Sequence, residues 1–195
     1  RINNKTTYAL EGSIFTAGAG VQWLRDKIKL INNAYDTEKI VKSKKNNNGI
    51  YLVPAFTGLG APYWRSNVRG LISGLTRNTD WKDIVRAVIE SVAYQSFDLF
   101  KATNKDGLKP REVKVDGGMV SNNWFLQFLS DILDIKVIRP KINETTALGA
   151  AFVAGLYIGE FKSFKSISRE WKIDKRFDPK INKSSRIKLL KGWEQ

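Results

Sequence analysis

The chain has 195 residues, 42% of them apolar and including six Trp and ten Phe, enough for one cored domain or a domain with an extension. Neither Cys nor His occurs, which excludes disulfides, zinc sites built on those ligands, thiol nucleophiles and Ser-His-Asp catalysis. The net charge of +14 favours anionic ligands or nucleic acid, but the lysines gather in Lys42-Ser-Lys-Lys-Asn-Asn-Asn and across residues 161–195, where solvated loop and tail charge is expected.

No apolar run approaches the roughly 20 residues that span a membrane. The sequence starts at Arg1, and a strand-like segment follows within a few residues, so there is no room for a signal peptide. It reads as a piece from the C-terminal side of a longer protein. The lack of Cys agrees with a cytoplasmic setting.

Tyr8–Ile14 is a predicted strand. Residues 16–31 predict a helix with Val21, Leu24, Ile28 and Leu30/Ile31 on one side, weakened at its start by Gly18 and Gly20. Glycines there point to close packing or to a ligand near the helix start. Residues 33–49 are polar and predict a loop or ragged helix end. Residues 50–56 predict an apolar strand, followed by the loop Thr57-Gly-Leu-Gly-Ala-Pro-Tyr-Trp, and residues 70–75 a short strand. A long helix is predicted over 80–103. Thr79 or Asp80 caps it, and Trp81, Val85, Val88, Val92 and Leu99 recur near helical spacing. Strand 113–115, helix 122–134, strand 136–139 and an Ala/Gly-rich helix over 147–158 opened by Thr145 complete an alternating pattern, which favours an α/β sheet. From Glu160 onward the chain is polar and basic, with a short helix near 184–193.

The most informative stretch is Val113-Lys-Val-Asp-Gly-Gly-Met-Val-Ser-Asn-Asn. A β-branched strand ends in a diglycine, and Ser121 or Asn122 can cap the helix that begins with Trp124-Phe125-Leu126. Gly117 and Gly118 let backbone approach something that a Cβ would exclude. A helix N-terminus beside bare N–H groups suits phosphate or another polar ligand group. On these residues alone, a ligand seat and an unliganded tight turn remain equally open.

Several segments in this order resemble the C-terminal domain of the FGGY carbohydrate kinases. They are Tyr8-Ala-Leu-Glu-Gly, Ala17-Gly-Ala-Gly-Val-Gln-Trp-Leu, Val53-Pro-Ala-Phe-Thr-Gly-Leu-Gly-Ala-Pro-Tyr-Trp, Val115-Asp-Gly-Gly and Thr145-Thr-Ala-Leu-Gly-Ala-Ala. A looser signature running from Gly70-Leu-Ile-Ser-Gly-Leu to Asp83-Ile-Val-Arg-Ala-Val-Ile-Glu also fits. The likeness covers about the first 160 residues and fades in the tail. Gly58-Leu-Gly-Ala-Pro-Tyr-Trp is similar to the loop of the glycerol kinases within the family.

The resemblance implies an α/β fold of the actin/hexokinase-like ATPase type, with a ribonuclease-H-like sheet flanked by helices. Residues 1–195 would form a single C-terminal nucleotide-binding domain with a polar tail over about 160–195. ATP or ADP with Mg2+ would lie mostly on this half. Glycerol, the catalytic base and most Mg-linked acids would belong to an N-terminal domain outside this sequence, so the piece alone is expected to be inactive. No protein-held metal site, membrane or nucleic acid is expected, and the full enzyme could form a homo-oligomer.

Residue by residue, the resemblance places Gly118 and Asn122 against the nucleotide. With Gly117, the diglycine would face the adenosine and its α-phosphate, while the Asn122 amide would reach the base. Gly18 and Gln22, one helical turn apart, match two further nucleotide positions. Without the resemblance, Asn122 is a helix cap, Gly18 a packing residue and Gln22 a solvated side chain. No residue of this chain is assigned as catalytic. Asp116 would orient the turn or contact a metal-linked water, and Glu11 and Glu90 would be buried hydrogen-bonded groups. The loop 56–64 would shape the cleft and the interdomain contact, and Arg65 stands where relatives carry Asp. The rival readings are another sugar or polyol kinase of the family, a basic nucleic-acid-binding module, and a purely structural or oligomerisation domain.

Overall fold

The structure, a computed structural model, describes residue 6 and residues 8–195. Seven helices and five strands follow in chain order among them: α1 Gly18–Asp26, α2 Asp36–Lys42, β1 Tyr51–Val53, β2 Leu71–Ser73, α3 Trp81–Lys105, β3 Glu112–Lys114, α4 Asn123–Leu133, β4 Lys136–Pro140, α5 Thr145–Tyr157, α6 Phe164–Glu170, β5 Ile173–Phe177 and α7 Lys183–Trp193. A single 3-10 turn, Gly118–Ser121, joins β3 to α4. The described helices include none long and apolar enough to cross a membrane.

α3 is the axis of the domain. Asp80 starts it by accepting the N–H groups of Lys82 (2.8 Å) and Asp83 (3.2 Å), and the Asp83 carboxylate returns the bond to Asp80 N–H (3.0 Å). This reciprocal cap satisfies donors that the helix cannot satisfy itself. Val85, Val88, Ile89 and Val92 form its buried stripe. Arg86, Glu90 and Tyr94, four residues apart, share that inner side. Arg86 Nε donates to Glu90 at 2.6 Å, and Tyr94 Oη donates to Glu90 at 3.3 Å. Burial pushes the Glu90 carboxyl above its usual range, against the downward pull of Arg86 and Tyr94.

Two small sheets flank this axis. β1 and β2 pair antiparallel, with Leu52 opposite Ile72. The second sheet has the order β3-β4-β5. β3 and β4 are parallel with Val113 opposite Val137, and α4 is their crossover. β5 returns antiparallel with Phe177 opposite Val137. The core gathers Leu24, Val41, Ile50, Leu126, Ile132, Val137 and Phe177 around α3 and α4.

Several expected elements differ. Residues 8–14 form no strand. Their recorded backbone bond is Ala61 N–H to Ser13 C=O at 2.8 Å, and a strand needs a continuous ladder to a neighbour. Glu11, expected to be buried, is accordingly exposed. α1 ends earlier than predicted because Lys29 turns the chain in a left-handed conformation (φ 54°). The polar region 33–49 contains a true helix, α2, held by Thr37, Ile40 and Val41 in the core. The tail is not an appendage. β5 completes the sheet, and α7 docks through Trp193, whose Nε1 donates to Asp98 at 2.8 Å and whose ring stacks on Tyr94 at 5.1 Å.

Candidate functional site

The turn between β3 and α4 follows from its residues. Gly117 takes φ 83°, ψ −179°, a conformation that L side chains rarely adopt. Its N–H donates to Asn143 C=O at 3.3 Å, and Gly118–Ser121 then coil once as a 3-10 turn. A Cβ built on either Gly117 or Gly118 would meet no atom within 4 Å. The space above both glycines is therefore open, and close internal packing does not explain them.

Asn122 begins α4. Its Oδ1 accepts Phe125 N–H at 2.9 Å, and its Nδ2 donates to Thr37 Oγ1 at 3.3 Å. Both ends of the buried amide thus have partners within the protein, so its role as a helix cap is realised and one Nδ2 hydrogen is left over. Glu38 of α2 also reaches this helix start, accepting Asn123 N–H at 3.3 Å. Partial burial raises the Glu38 pKa, but Lys42 and the Asn123 N–H outweigh it and hold the carboxyl below its usual range.

Arg139 of β4 braces the turn from below. Nη1 donates to Val120 C=O (2.7 Å), Nη2 to Asn123 Oδ1 (3.2 Å) and Nε to Asp174 of β5 (2.6 Å). One planar guanidinium thereby ties the 3-10 turn, the start of α4 and the sheet edge together. Asp116 accepts the Thr145 hydroxyl at the head of α5. That contact positions the turn from the opposite side and gives an exposed carboxylate a structural task. Beside it, Asn143 keeps its Oδ1 buried without a hydrogen-bond partner among the described residues.

Gly18 and Gln22 sit on α1. Gly18 faces open space, whereas a Cβ on Gly20 would approach Val88 Cγ1 of α3 at 2.9 Å. The two glycines therefore have separate reasons: Gly20 packs and Gly18 does not. No side chain caps α1; Gly20 N–H donates to Ala17 C=O at 3.0 Å, and the N–H groups of Gly18 and Ala19 have no hydrogen-bond partner among the described residues. Gln22 is exposed. Gly117, Gly118 and Asn122 thus share one turn, while Gly18 and Gln22 share one helix. No hydrogen bond links the two groups among the described residues; α1 packs on α3, and so does α4, the helix that follows the turn.

The loop 56–64 closes on residues 13–15 and on α1. Trp64 meets Phe15 edge-on at 6.3 Å, and Phe56 packs on Trp23 at 5.1 Å. Ala61-Pro62 is cis. Arg65 forms no ion pair among the described residues. Arg139, Thr37 and Glu38 were not foreseen as supports of the turn. The Glu38–Lys42 pair was readable from its spacing, but the reach of each residue to the turn depends on the tertiary fold.

Comparison with known proteins follows the same outline. Residues 2–157 match the C-terminal domain of the FGGY family of carbohydrate kinases. The chain is 54% identical to a glycerol kinase of Alteromonas mediterranea, covering 100% of this chain and 39% of that protein. It is 51% identical to glycerol kinase 1 of Pseudomonas aeruginosa, covering 100% and 39%. The likeness therefore runs through the tail, beyond the point where motifs fade to the eye, and the chain spans about two fifths of these relatives. The structure of Plasmodium falciparum glycerol kinase with ADP superposes with a TM-score of 0.89 at 41% identity, over 99% of this chain and 38% of that one. A xylulose kinase from Lactobacillus acidophilus, at TM-score 0.79 and 23% identity over 94% of this chain and 37% of that one, shares the fold. The α/β arrangement is that of the actin/hexokinase-like ATPases, and the chain belongs to the FGGY family of carbohydrate kinases, as a C-terminal domain.

Proposed function

We propose that this chain is the nucleotide-binding C-terminal half of a glycerol kinase. The full-length enzyme would transfer the γ-phosphoryl group of MgATP to a terminal hydroxyl of glycerol, giving glycerol 3-phosphate. The observation that carries this reading is the diglycine turn, with open space over Gly117 and Gly118 directly before the N-terminus of α4. The relatives' names, and the ADP in one related structure, support the choice of nucleotide and polyol.

Phosphoryl transfer relies mainly on positioning and charge stabilisation. Here the backbone at Gly117 and Gly118 would lie against the adenosine and α-phosphate. The remaining Nδ2 hydrogen of Asn122 would point to the base. The uncapped start of α1 would bring Gly18 near phosphate, with Gln22 reaching phosphate or ribose oxygens.

Mg2+ fits no protein cage here, because no group of three acidic side chains among the described residues could hold it. It would arrive on the nucleotide's phosphates. Asp116 accepts the Thr145 hydroxyl; the base and the glycerol contacts would belong to the rest of the enzyme, and this chain alone would bind nucleotide without turnover. A cytoplasmic location, a homo-oligomeric full enzyme and weak affinity for random nucleic acid complete the reading.

Gly118→Val tests it. Gly118 has a φ outside the left-handed region and free space at its Cβ position, so the variant should melt like the parent. Gly117, at φ 83°, would strain under any side chain and is the poorer choice. Calorimetric titration at high protein concentration should show ADP binding in the parent and none in Gly118→Val. Equal binding by a normally folded variant would place the nucleotide elsewhere.

A further inference from the structure

The seat proposed for the nucleotide is backbone, so its shape depends on what holds that backbone. From within, Val120 N–H donates to Gly117 C=O at 3.3 Å, Asn122 N–H to Met119 C=O at 3.2 Å and Ser121 Oγ to Gly118 C=O at 2.9 Å. Such 3-10 bonds have poorer geometry than those of an α-helix. From outside, Asn143 C=O holds one end of the turn through Gly117 N–H, and Arg139 holds the other. The two terminal nitrogens of Arg139 span Val120 C=O and Asn123 Oδ1. One acceptor belongs to the turn and the other to the first residue of α4. The planar fork therefore fixes the angle between turn and helix, which a lysine ammonium could not do.

Arg139 is itself aimed from the tail. The pairing of β4 with β5 slips at this point: Lys175 lies opposite Arg139 and Ile173 opposite Pro140, which leaves Asp174 as an extra residue on β5. An extra residue interrupts the ladder locally and re-aims side chains. In a regular strand, Asp174 and Lys175 would point to opposite faces. Here both serve one cluster: Asp174 accepts Arg139 Nε at 2.6 Å, and Lys175 Nζ donates to Asn123 Oδ1 at 3.5 Å. The Arg139 side chain is only 13% exposed, so its end of the ion pair lies largely out of water. Asp174 also falls beyond residues 2–157, the part of the chain that matches the family's domain.

We infer that Arg139 is a positioning residue for nucleotide binding and that Asp174 acts through it, so that the tail shapes the diglycine turn from outside. The inference rests on the nucleotide reading.

ADP is the probe, titrated calorimetrically into the parent, Gly118→Val, Arg139→Lys, Asp174→Asn and the Arg139→Lys/Asp174→Asn double variant. Arg176→Lys, at an exposed arginine of the same strand as Asp174, is the control. Arg139→Lys keeps the charge and loses the fork, and its dissociation constant should rise at least about fivefold. Asp174→Asn removes a negative charge, which by charge alone would tighten the binding of an anion. Positioning through Arg139 predicts the opposite, a weakening of about threefold. The double variant should bind within about twofold of Arg139→Lys, because Asp174 then has no fork to aim. Arg176→Lys should bind like the parent. Urea denaturation of each protein completes the test, since a merely structural role would lower the midpoint and leave the affinity of the folded chain unchanged. The proposal fails if Arg139→Lys binds like the parent, if Asp174→Asn binds as tightly as the parent or more tightly, or if the double variant shows the product of the two single losses. It also fails if Arg176→Lys weakens as much as Arg139→Lys. Should Arg139→Lys not fold, the direction of change in Asp174→Asn decides alone. ADP binding that survives in Gly118→Val, or is absent from the parent, overturns the nucleotide reading and this inference with it, whereas the other failures overturn the inference alone.

Discussion

α4 and α5 are neighbours in sequence and both are strongly apolar, yet they end in opposite environments. α4 buries eight of its eleven residues, among them Phe125, Leu126, Phe128 and Ile132. α5 buries only Gly155, and leaves Val153 62% and Tyr157 92% exposed. The difference is not one of helix propensity. α4 begins with a side-chain cap, lies against α3 and is tied to the tail, where Ser130 Oγ donates to Phe177 C=O at 2.9 Å. α5 has no side-chain cap and meets the tail through the Phe152–Phe161 pair at 5.5 Å. An apolar stripe states what a helix could bury, and only a facing element decides whether it does.

The strongest way to break the buried half of this comparison is to strip Arg86 from the α3 surface on which α4 docks. Its guanidinium neutralises Glu90 and lies over the Trp124 ring of α4 at 4.9 Å. Arg86→Met leaves a buried carboxylate unpaired and should cost about 3–5 kcal/mol in urea denaturation. The pH dependence has a definite sign. Glu90 already holds its proton more tightly in the folded state than in the unfolded state, because burial outweighs Arg86 and Tyr94. Removing Arg86 raises that pKa further. A raised carboxyl contributes most favourably below its ordinary value and progressively less as pH rises through the folded pKa. The deficit should therefore be smallest at and below about pH 4.3 and grow toward neutrality. A deficit constant from acid to neutral pH would mean that the loss is one of packing and not of charge.

These contrasts also mark what the sequence could reveal. α3 was legible because its cap, its stripe and its length all agree within one segment. The diglycine turn was legible because Val115-Asp-Gly-Gly and Asn122 are contiguous. α2 was not, since its inward residues are only Thr37, Ile40 and Val41, set among polar neighbours. β5 was hidden because Ile173-Asp-Lys-Arg-Phe buries only its last residue, and its partner strand lies far back in the chain. The strand expected over 8–14 has the right residues but no described neighbour to pair with. Arg139 reads locally as a strand residue. Its bracing of the turn appears only when Val120, Asn123 and Asp174 are brought around it.

Asn122 sharpens the comparison at the point where α4 gains the anchor that α5 lacks. Asn122→Ala removes the bond to Phe125 N–H and the bond to Thr37 Oγ1. A lost N-cap costs about 0.5–2 kcal/mol, so a thermal melt should shift downward while remaining cooperative. If the left-over Nδ2 hydrogen contacts nucleotide, ADP affinity should fall as well, by about 0.5–1.5 kcal/mol. A lowered melt with unchanged ADP affinity would restrict Asn122 to capping.

The smallest effect is expected on the exposed helix. Val153→Ser replaces an apolar side chain on α5 with one of similar helix propensity, so intrinsic preference scarcely changes. Its side chain is largely in water in the folded chain, and little burial is there to lose. Stability measured by urea denaturation should move by no more than about 0.5 kcal/mol, against several for Arg86→Met. A loss above about 1 kcal/mol would mean that Val153 is covered in solution. Repeating the melt over a range of protein concentrations would then separate two causes. Cover by a second copy makes the midpoint rise with concentration, whereas cover from within the chain leaves it fixed. A near-zero effect at every concentration would leave the Val153 side of α5 uncovered in the isolated chain, and the contrast with α4 would stand.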